Sequence, residues 1–522
     1  MADLITPIIG KYVLENLTTG MYNDPFCVYR EYIQNAADAI DKALSTNLIN
    51  SSNAKIYIQI HKESRQITFE DNGTGIAHYK VVDVLRNIAQ SDKVIGKDKG
   101  FRGIGRLGGL GYCEELLFET SCAGEEVKSV LKWDAKLLKR MVHDRTTKES
   151  AIDVIATVTS FFDTEKEELN KHYFKVTLSG VSNPDLLDFA AVKDYLQMVA
   201  PLPFAGGFIF RTKIKEDAAL HGVTLDEYTV FLNQDKLYKE YTTQLYKEVN
   251  GKRSSIGEIK DVFFFNQKDK AGNLLYWGWR SVSNIQNIRL TSVNKARGLR
   301  LRKGNIQIGD EYVLSKCFRD TRFNHYVIGE VHALSPALVP NGRRDDFEDS
   351  DLYTDFKTKL KSICDIIQKL AVDASKITSA QKKIEEVEKT KDEIKTTLEK
   401  GITNKQEIDL LNSKLTQKQN EAEVAVRDLQ KIEKTIATSG DEALTRIYQH
   451  IVKPTEENKS KHISPEIVYI NNENKPIFRS DKLSKLTKAE RKLVGEIFDV
   501  ITKVLSKDLA ENLIQKLEEN FK

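Results

Sequence analysis

Glu31, Asn35 and Asp38 fall at i, i+4 and i+7 in EYIQNAADAIDK, so a helix through this stretch presents a carboxylate, an amide and a second carboxylate on one face. Such a face can orient water or an ion; on an isolated helix it is simply solvated. The small residues Ala36, Ala37 and Ala39 flank it. A further acid ends the strand-like run QITFE and opens Asp71-Asn72-Gly73-Thr74-Gly75-Ile76, where two glycines let backbone approach a ligand closely. The same run also reads as a common turn. A third stretch runs from Gly100 to Gly111, with six glycines in twelve residues, and follows Lys97 and Lys99. Backbone N–H groups in such a loop can wrap phosphates while cations neutralise their charge. No Gly-Lys-Ser/Thr ends it, and no strand-led dinucleotide fingerprint with its later acid surrounds it, which excludes a P-loop kinase or a dehydrogenase.

Elements must hold these stretches in place. Residues 26 to 44 carry a helical pattern, and KIYIQI (55 to 60) and QITFE (66 to 70) read as strands, which predicts an α+β sandwich over the first 180 or so positions. A second mixed segment extends to about 350, with strand-like runs FIFRTKI, DVFFFNQ, LLYWGWR, GLRLRKGNIQIG and YVIGEVHAL. From about 354 to 437 the composition is that of long helices. Ile384, Val387, Ile394 and Leu398, then Ile408, Leu411, Leu415, Ala422, Leu429, Ile432 and Ile436, approach a 3-4 heptad alternation. Gly401, with Thr403 and Gln406 after it, suggests a helix stop and a new capping box, hence a helical hairpin. One long helix carrying a tolerated glycine is the alternative. A Pro-containing connector then leads to helices around 485–495 and 497–521.

At 522 residues the chain exceeds one compact core, and its 40% hydrophobic and 30% charged composition excludes global disorder. Lys plus Arg total 79 against 76 for Asp plus Glu, a net +3, so any polyanion site must be local. Five scattered cysteines and nine dispersed histidines lack zinc-ligand spacing and fit a reducing compartment. The stretch MADLITPIIGKYVLENL has no secretory pattern and no apolar run is long enough to span a bilayer, so the expectation is a cytoplasmic protein without a membrane partner.

The ordered set of helix E-x-x-x-N-x-x-D, strand-end D-x-G-x-G and glycine-rich loop resembles the GHKL ATPases, among them DNA gyrase B, MutL repair proteins, MORC ATPases and the ninety-kilodalton heat-shock chaperones. EYIQNAADAIDK and NIAQSDK (87 to 93) look chaperone-like, Gly100-Phe101-Arg102-Gly103 resembles MutL, and Ser91-Asp92-Lys93 is also MORC-like. The resemblance covers about 1 to 350 and implies Mg²⁺-dependent hydrolysis of ATP. Glu31 would be the general base, Asn35 the Mg²⁺ ligand, and Asp71 the acceptor for the adenine amino group. Gly73, Gly75 and Ile76 would line the base, with Asp38 a less direct contact. Lys99, Gly100, Arg102, Gly103, Ile104, Gly105, Arg106 and Gly108 would close over the phosphates. Many family members carry a threonine where Phe174 aligns here, leaving Thr177 as its substitute.

The resemblance also implies a βαβ transducer domain that sends a cation to the γ-phosphate. Val339-Pro340-Asn341-Gly342-Arg343-Arg344-Asp345 resembles the chaperone segment carrying that arginine, which ranks Arg344 first, Arg343 second and Lys303 third. A surface ion-pair cluster with Asp345 and Asp346 is the plainer reading of the two arginines. Arg280, Arg289, Lys295, Arg297, Arg300, Arg302 and Lys303 form a basic run without an acid up to Gly309, which could line a channel for duplex DNA. Trp277 and Trp279 read as strand core, with a stacking platform for bases as the alternative. The expected architecture is a GHKL-type α/β sandwich (1–183), a transducer (184–352), a coiled-coil helical segment (353–437) and a helical tail (438–522). The expected activity is that of an ATP-gated homodimeric clamp acting on a protein client, as the chaperones do. The alternative is a MORC- or MutL-like clamp on DNA in genome maintenance or defence against foreign DNA.

Overall fold

A computed structural model describes residues 8–18, 24–90, 99–100, 102–400, 405–452 and 486–520. The expected cues at Lys97, Phe101, Gly401 and Thr403, and those at 91–93, lie outside these residues. Among the described residues no helix is long and apolar enough to cross a membrane.

The first sheet takes β1 (Ile56–His61), β2 (Gln66–Asp71), β3 (Glu115–Ser121), β4 (Val127–Asp134), β5 (Thr159–Lys166) and β6 (Tyr173–Ser179). Two later strands, β7 (Val230–Leu232) and β8 (Asp235–Lys236), complete the order β5-β4-β3-β6-β2-β1-β7-β8. The sheet therefore extends well beyond the expected boundary at residue 183. Alternation sets its faces: Ile56, Ile58 and Ile60 on β1 pair in register with Asp71, Phe69 and Ile67 on β2, and the apolar members join one buried core. Helices α1 (Tyr12–Thr18), α2 (Cys27–Ser45), α3 (Val81–Arg86), α4 (Ala135–His143), α5 (Ala151–Val158) and α6 (Phe189–Val199) contribute to this core. Asp134 caps α4 through Leu137 N–H, and Ser150 with Asp153 forms a capping box on α5. Helix α2 contributes Val28, Tyr29, Tyr32, Ile33 and Ala36 to the core, which leaves its polar residues to define the other face.

The second sheet has the order β13-β12-β14-β11-β10-β9. Its strands are β9 (Gln244–Val249), β10 (Lys252–Lys268), β11 (Leu274–Ser283), β12 (Gly298–Lys303), β13 (Ile306–Gln307) and β14 (Ile328–Ala333). FIFRTKI is not a strand. Its second half opens α7 (Arg211–Leu220), whose Ile214 and Ala218 are buried four residues apart, a helical spacing that outweighs the local alternation. The parallel pair β12/β14 is joined by β13 and two 3₁₀ turns, Ser315–Cys317 and Thr321–Tyr326, without the α-helix of a βαβ unit. The cover on that face comes instead from the start of α8 (Asp351–Lys400), where Phe356, Leu360 and Cys364 pack with Leu299, Leu301 and Val331. Trp277 and Trp279 lie fully buried in the opposite core beside Phe204 and Phe208, as strand residues and not as a stacking platform.

Inside this region lies a buried polar cluster. Glu330 accepts from Lys239 Nζ at 3.0 Å, Tyr241 OH at 2.9 Å and Arg302 Nε, and His332 Nε2 is 3.1 Å away. Burial opposes ionisation of Glu330, but Arg302 and Lys239 hold its carboxyl well below the usual carboxylate range. Burial, reinforced by the Arg302 charge, brings Lys239 down to about 7.

The remaining helices are α9 (Lys405–Ser439), α10 (Glu442–Val452), α11 (Lys488–Val504) and α12 (Lys507–Asn520). Ion pairs Lys414–Glu393 at 3.2 Å and Lys418–Glu386 at 2.7 Å run α9 antiparallel to the second half of α8. Val387, Leu415 and Leu429 are buried in this segment. The tail breaks at Leu505, not near 496, because Leu505 leaves helical conformation after Thr487 and Glu490 have capped α11.

Candidate active site

Helix α2 meets all three separated stretches. A Cβ on Gly105 would lie 2.3 Å from Glu31 Oε2, one on Gly100 would lie 3.4 Å from Asn35 Oδ1, and one on Gly73 would lie 2.6 Å from the Ala39 Cβ. At Gly73 a side chain would also strike the Ala39 backbone, whereas at Gly105 it would displace the movable end of Glu31. Asp38 accepts from the backbone N–H of Lys99 at 2.8 Å and of Gly100 at 3.0 Å, fixing the start of the glycine-rich stretch on the helix. Glu31 and Asp38 are buried, whereas Asn35 is half-buried.

At the sheet end, Asp71 is buried and its Oδ1 accepts from Gly73 N–H at 2.9 Å. Gly75 sits at φ +63°, and a Cβ there would stand 1.9 Å from the Ser121 carbonyl oxygen. Ile76 N–H donates to Thr120 Oγ1 at 2.9 Å, and that hydroxyl donates to Tyr173 O at 2.8 Å. Thr120 went unnoticed in the sequence. It lies two strands from Asp71, and only the cross-strand row Asp71–Phe174–Thr120 brings the three onto one line.

The glycine-rich stretch continues as a 3₁₀ turn, Gly105–Gly111, with Ile104 at its start and Gly108 buried within it. Gly103 has φ +67°, and a Cβ would strike the Gln90 carbonyl oxygen at 2.6 Å. Tyr32 OH donates to Arg106 O at 2.9 Å, while the Arg106 guanidinium turns to the carbonyls of Asn87 and Gln90. Burial lowers the Arg106 pKa to about 10. Arg102 donates to Pro340 O at 3.1 Å and pairs with Glu348.

The first-ranked cation reaches this point. Arg344 is buried, with Nε 3.1 Å from Glu31 Oε1 and Nη2 donating to Lys99 O at 2.9 Å. Its φ of +57° is rare for a non-glycine residue, and its carbonyl is held by Gly309 N–H at 2.9 Å. Arg30 donates to Arg343 O at 2.9 Å and its Nε lies 3.8 Å from Glu31 Oε1.

Other expected residues stand apart. The Arg343 side chain is exposed. Lys303 donates to Ser335 O at 2.6 Å, and burial lowers its pKa to about 8. Thr177 pairs across from Thr68 and alternates with the core residues Val176 and Leu178, so it faces away from α2 and Asp71; Phe174 occupies the row opposite Asp71. The basic run is internally engaged. Lys295 pairs with Asp194 and Glu240, Arg297 and Arg300 with Glu311, and Arg302 with Glu330; Arg280 lies over the Phe263 ring and Arg289 beside His325.

Residues 24–164 match the profile of a family described as histidine kinase-, DNA gyrase B-, and HSP90-like ATPase. The chaperone protein HtpG of Acinetobacter baylyi is 27% identical over 139 residues, which is 23% of this chain and 22% of that protein. HtpG of Photorhabdus laumondii is 29% identical over 143 residues and that of Legionella pneumophila (strain Lens) 30% over 144, each match covering 24% of this chain and 23% of the chaperone. The chain thus spans less than a quarter of the length of the curated relatives it matches. Within that span the chain carries a GHKL-type ATPase domain resembling that of the HtpG chaperones.

Proposed function

We propose that the protein hydrolyses Mg-ATP at the α2 site and uses turnover to drive an ATP-gated homodimeric clamp on a protein client. The observation that carries the catalytic reading is the convergence on Glu31 of Gly105 and Arg344, a backbone cradle and a cation from distant parts of the chain. Glu31 would orient and polarise the attacking water, a role that needs a dry carboxylate within hydrogen-bond reach. Asp71 would accept from the adenine amino group at the strand end, where Gly73 and Gly75 admit the base. Backbone N–H groups of the 100–108 stretch would hold the phosphates.

The donor set fits a divalent ion carried in by the nucleotide. Among the described residues no group of three or more His, Cys, Asp or Glu forms a metal cage, whereas Asn35 offers one amide oxygen beside the Gly100 cradle. Mg²⁺ supplies neutralisation of phosphate charge when bound. In phosphoryl transfer the protein contributes mainly position and charge. Arg344 would exchange Glu31 for the γ-phosphate, leaving the carboxylate free to act on water.

A clamp on DNA is the second reading. The internal partners of the basic run favour the protein client. The test is Glu31→Ala: nucleotide binding by calorimetry stays while turnover falls by about 10²–10⁴-fold. Retained turnover would falsify the assignment of Glu31, and absence of ATP binding in the unaltered protein would remove the site itself.

A further inference from the structure

Lys99 sits where a phosphate-binding cation is expected, yet its ammonium points elsewhere. Nζ contacts Asp41 Oδ2, Asp226 Oδ2 at 3.2 Å and Tyr228 OH at 2.8 Å, and the Tyr228 hydroxyl donates to Asp41 Oδ1 at 2.6 Å. Asp41 and the Tyr228 hydroxyl take two of the three N–H donors of the ammonium, and the Asp226 carboxylate stands beside it as an ionic partner. The side chain is 11% exposed, and its carbons run against Gly304, where a Cβ would lie 3.3 Å from Cε. Burial alone would lower its pKa, but Asp226 and Asp41 hold it above the ordinary lysine value, so the charge is retained.

The main chain of the same residue is tied on both sides. Its N–H donates to Asp38 and its carbonyl accepts from Arg344 Nη2 at 2.9 Å. Beyond Asp226 the connections reach the second sheet: the Asp226 carbonyl accepts from Asn305 Nδ2, and Asn305 Oδ1 accepts from the buried Lys239 Nζ at 2.7 Å. Lys239 in turn bonds Glu330 on β14.

We infer that Lys99 is a positioning residue, one that tethers the start of the glycine-rich stretch to Asp41 and Asp226 and so sets the seat of Arg344, and that it is not a ligand of the triphosphate. This assignment rests on the nucleotide-site reading for its kinetic consequence but not for the tether itself. With the ammonium hydrogen-bonded to Asp41 and Tyr228 and ion-paired with Asp226, the phosphates would be met by backbone N–H groups and Arg344. Loss of the tether would leave ground-state binding intact while misplacing the backbone that organises the reacting groups, an effect that costs rate more than affinity.

The experiment compares Lys99→Met, Lys99→Arg, Asp226→Asn and the double variant Lys99→Met/Asp226→Asn in the full chain. Two measurements are made: steady-state ATP turnover, and amide deuterium exchange at Gly100 and 102–111 with and without ATP. The expected result for Lys99→Met and for Asp226→Asn is a kcat lower by about tenfold or more with KM within about twofold. Faster exchange at Gly100 in the nucleotide-free protein should accompany it. Lys99→Arg should restore most of the rate, and the double variant should be no worse than the poorer single one. A phosphate ligand behaves differently: Lys99→Met would raise KM about tenfold or more while Asp226→Asn leaves kinetics unchanged, and that pattern overturns the proposal. If the unaltered protein fails to bind ATP, the nucleotide reading falls, and nucleotide-free exchange alone decides the tether. Faster exchange at Gly100 in both single variants upholds it, and unchanged exchange overturns it.

Discussion

Arg344 Nε lies 3.1 Å from Glu31 Oε1 with both side chains buried, so the second region's cation already engages the carboxylate proposed as the general base. On the proposed reading the pair would couple two events. A γ-phosphate that drew Arg344 away would at the same time release Glu31, and water activation would then wait for correctly placed nucleotide.

Removing one member leaves the other buried. Arg344→Met should lower kcat by about 10³-fold or more, in the range of a transition-state arginine. It should also destabilise the chain by about 1–3 kcal/mol, because Arg30 at 3.8 Å only partly compensates Glu31. Adding Glu31→Gln should recover much of that stability while turnover stays absent, as read by denaturant midpoints beside an ATPase assay.

The two glycines nearest the chemistry should respond differently to alanine. At Gly105 the added methyl meets the far end of the Glu31 side chain, so Gly105→Ala should retain the fold and lose turnover. At Gly75 it meets a backbone carbonyl at φ +63°, and Gly75→Ala should cost about 1–3 kcal/mol through strain in the Asp71–Ile76 turn. Thermal melts and ATP affinity separate the two; equal melting temperatures for both variants would contradict this account.

Lys239 gives a pH dependence of definite sign. Its folded pKa of about 7 lies below the ordinary lysine value, so between pH 7 and that value the unfolded chain binds the extra proton. Its contribution to stability therefore rises with pH through this window, and below pH 7 the cost of burying the ammonium is fully present. Glu330 acts in the opposite window, stabilising above the ordinary carboxylate range and losing that effect on acidification. Urea unfolding from pH 6.5 to 9.5 should show a positive slope that Lys239→Met reduces.

The internally engaged basic run makes a prediction about polyanions. Turnover measured with duplex DNA over a salt series should not show stimulation that fades as salt rises. Salt-sensitive stimulation would restore the DNA-clamp reading and demand a surface other than residues 280–309.

Much of the site was legible because local periodicity carried it. The spacing of Glu31, Asn35 and Asp38 placed them on α2, and alternation placed Asp71 at the end of β2. Phase and register across the sheet were not legible: the resemblance offers Thr177 in place of a family threonine, but pairing β2 with β6 puts Phe174 opposite Asp71 and turns Thr177 away. FIFRTKI alternates over too few residues to tell a strand from the approach to a helix. The partners of Lys99 are 58 positions earlier in one case and over a hundred later in the others, and no local pattern encodes such a meeting.

Strand β7 has a consequence for how the chain can be divided. Ile56 N–H donates to Thr229 O, Ile60 N–H to Asn233 Oδ1, and Asn233 N–H returns to Ile58 O, so β1 is finished only by residues 229–236. A fragment ending at 183 would leave the backbone rim of β1 bare, an invitation to intermolecular strand addition. On the ribosome, the same rim would stay bare until roughly fifty further residues had emerged.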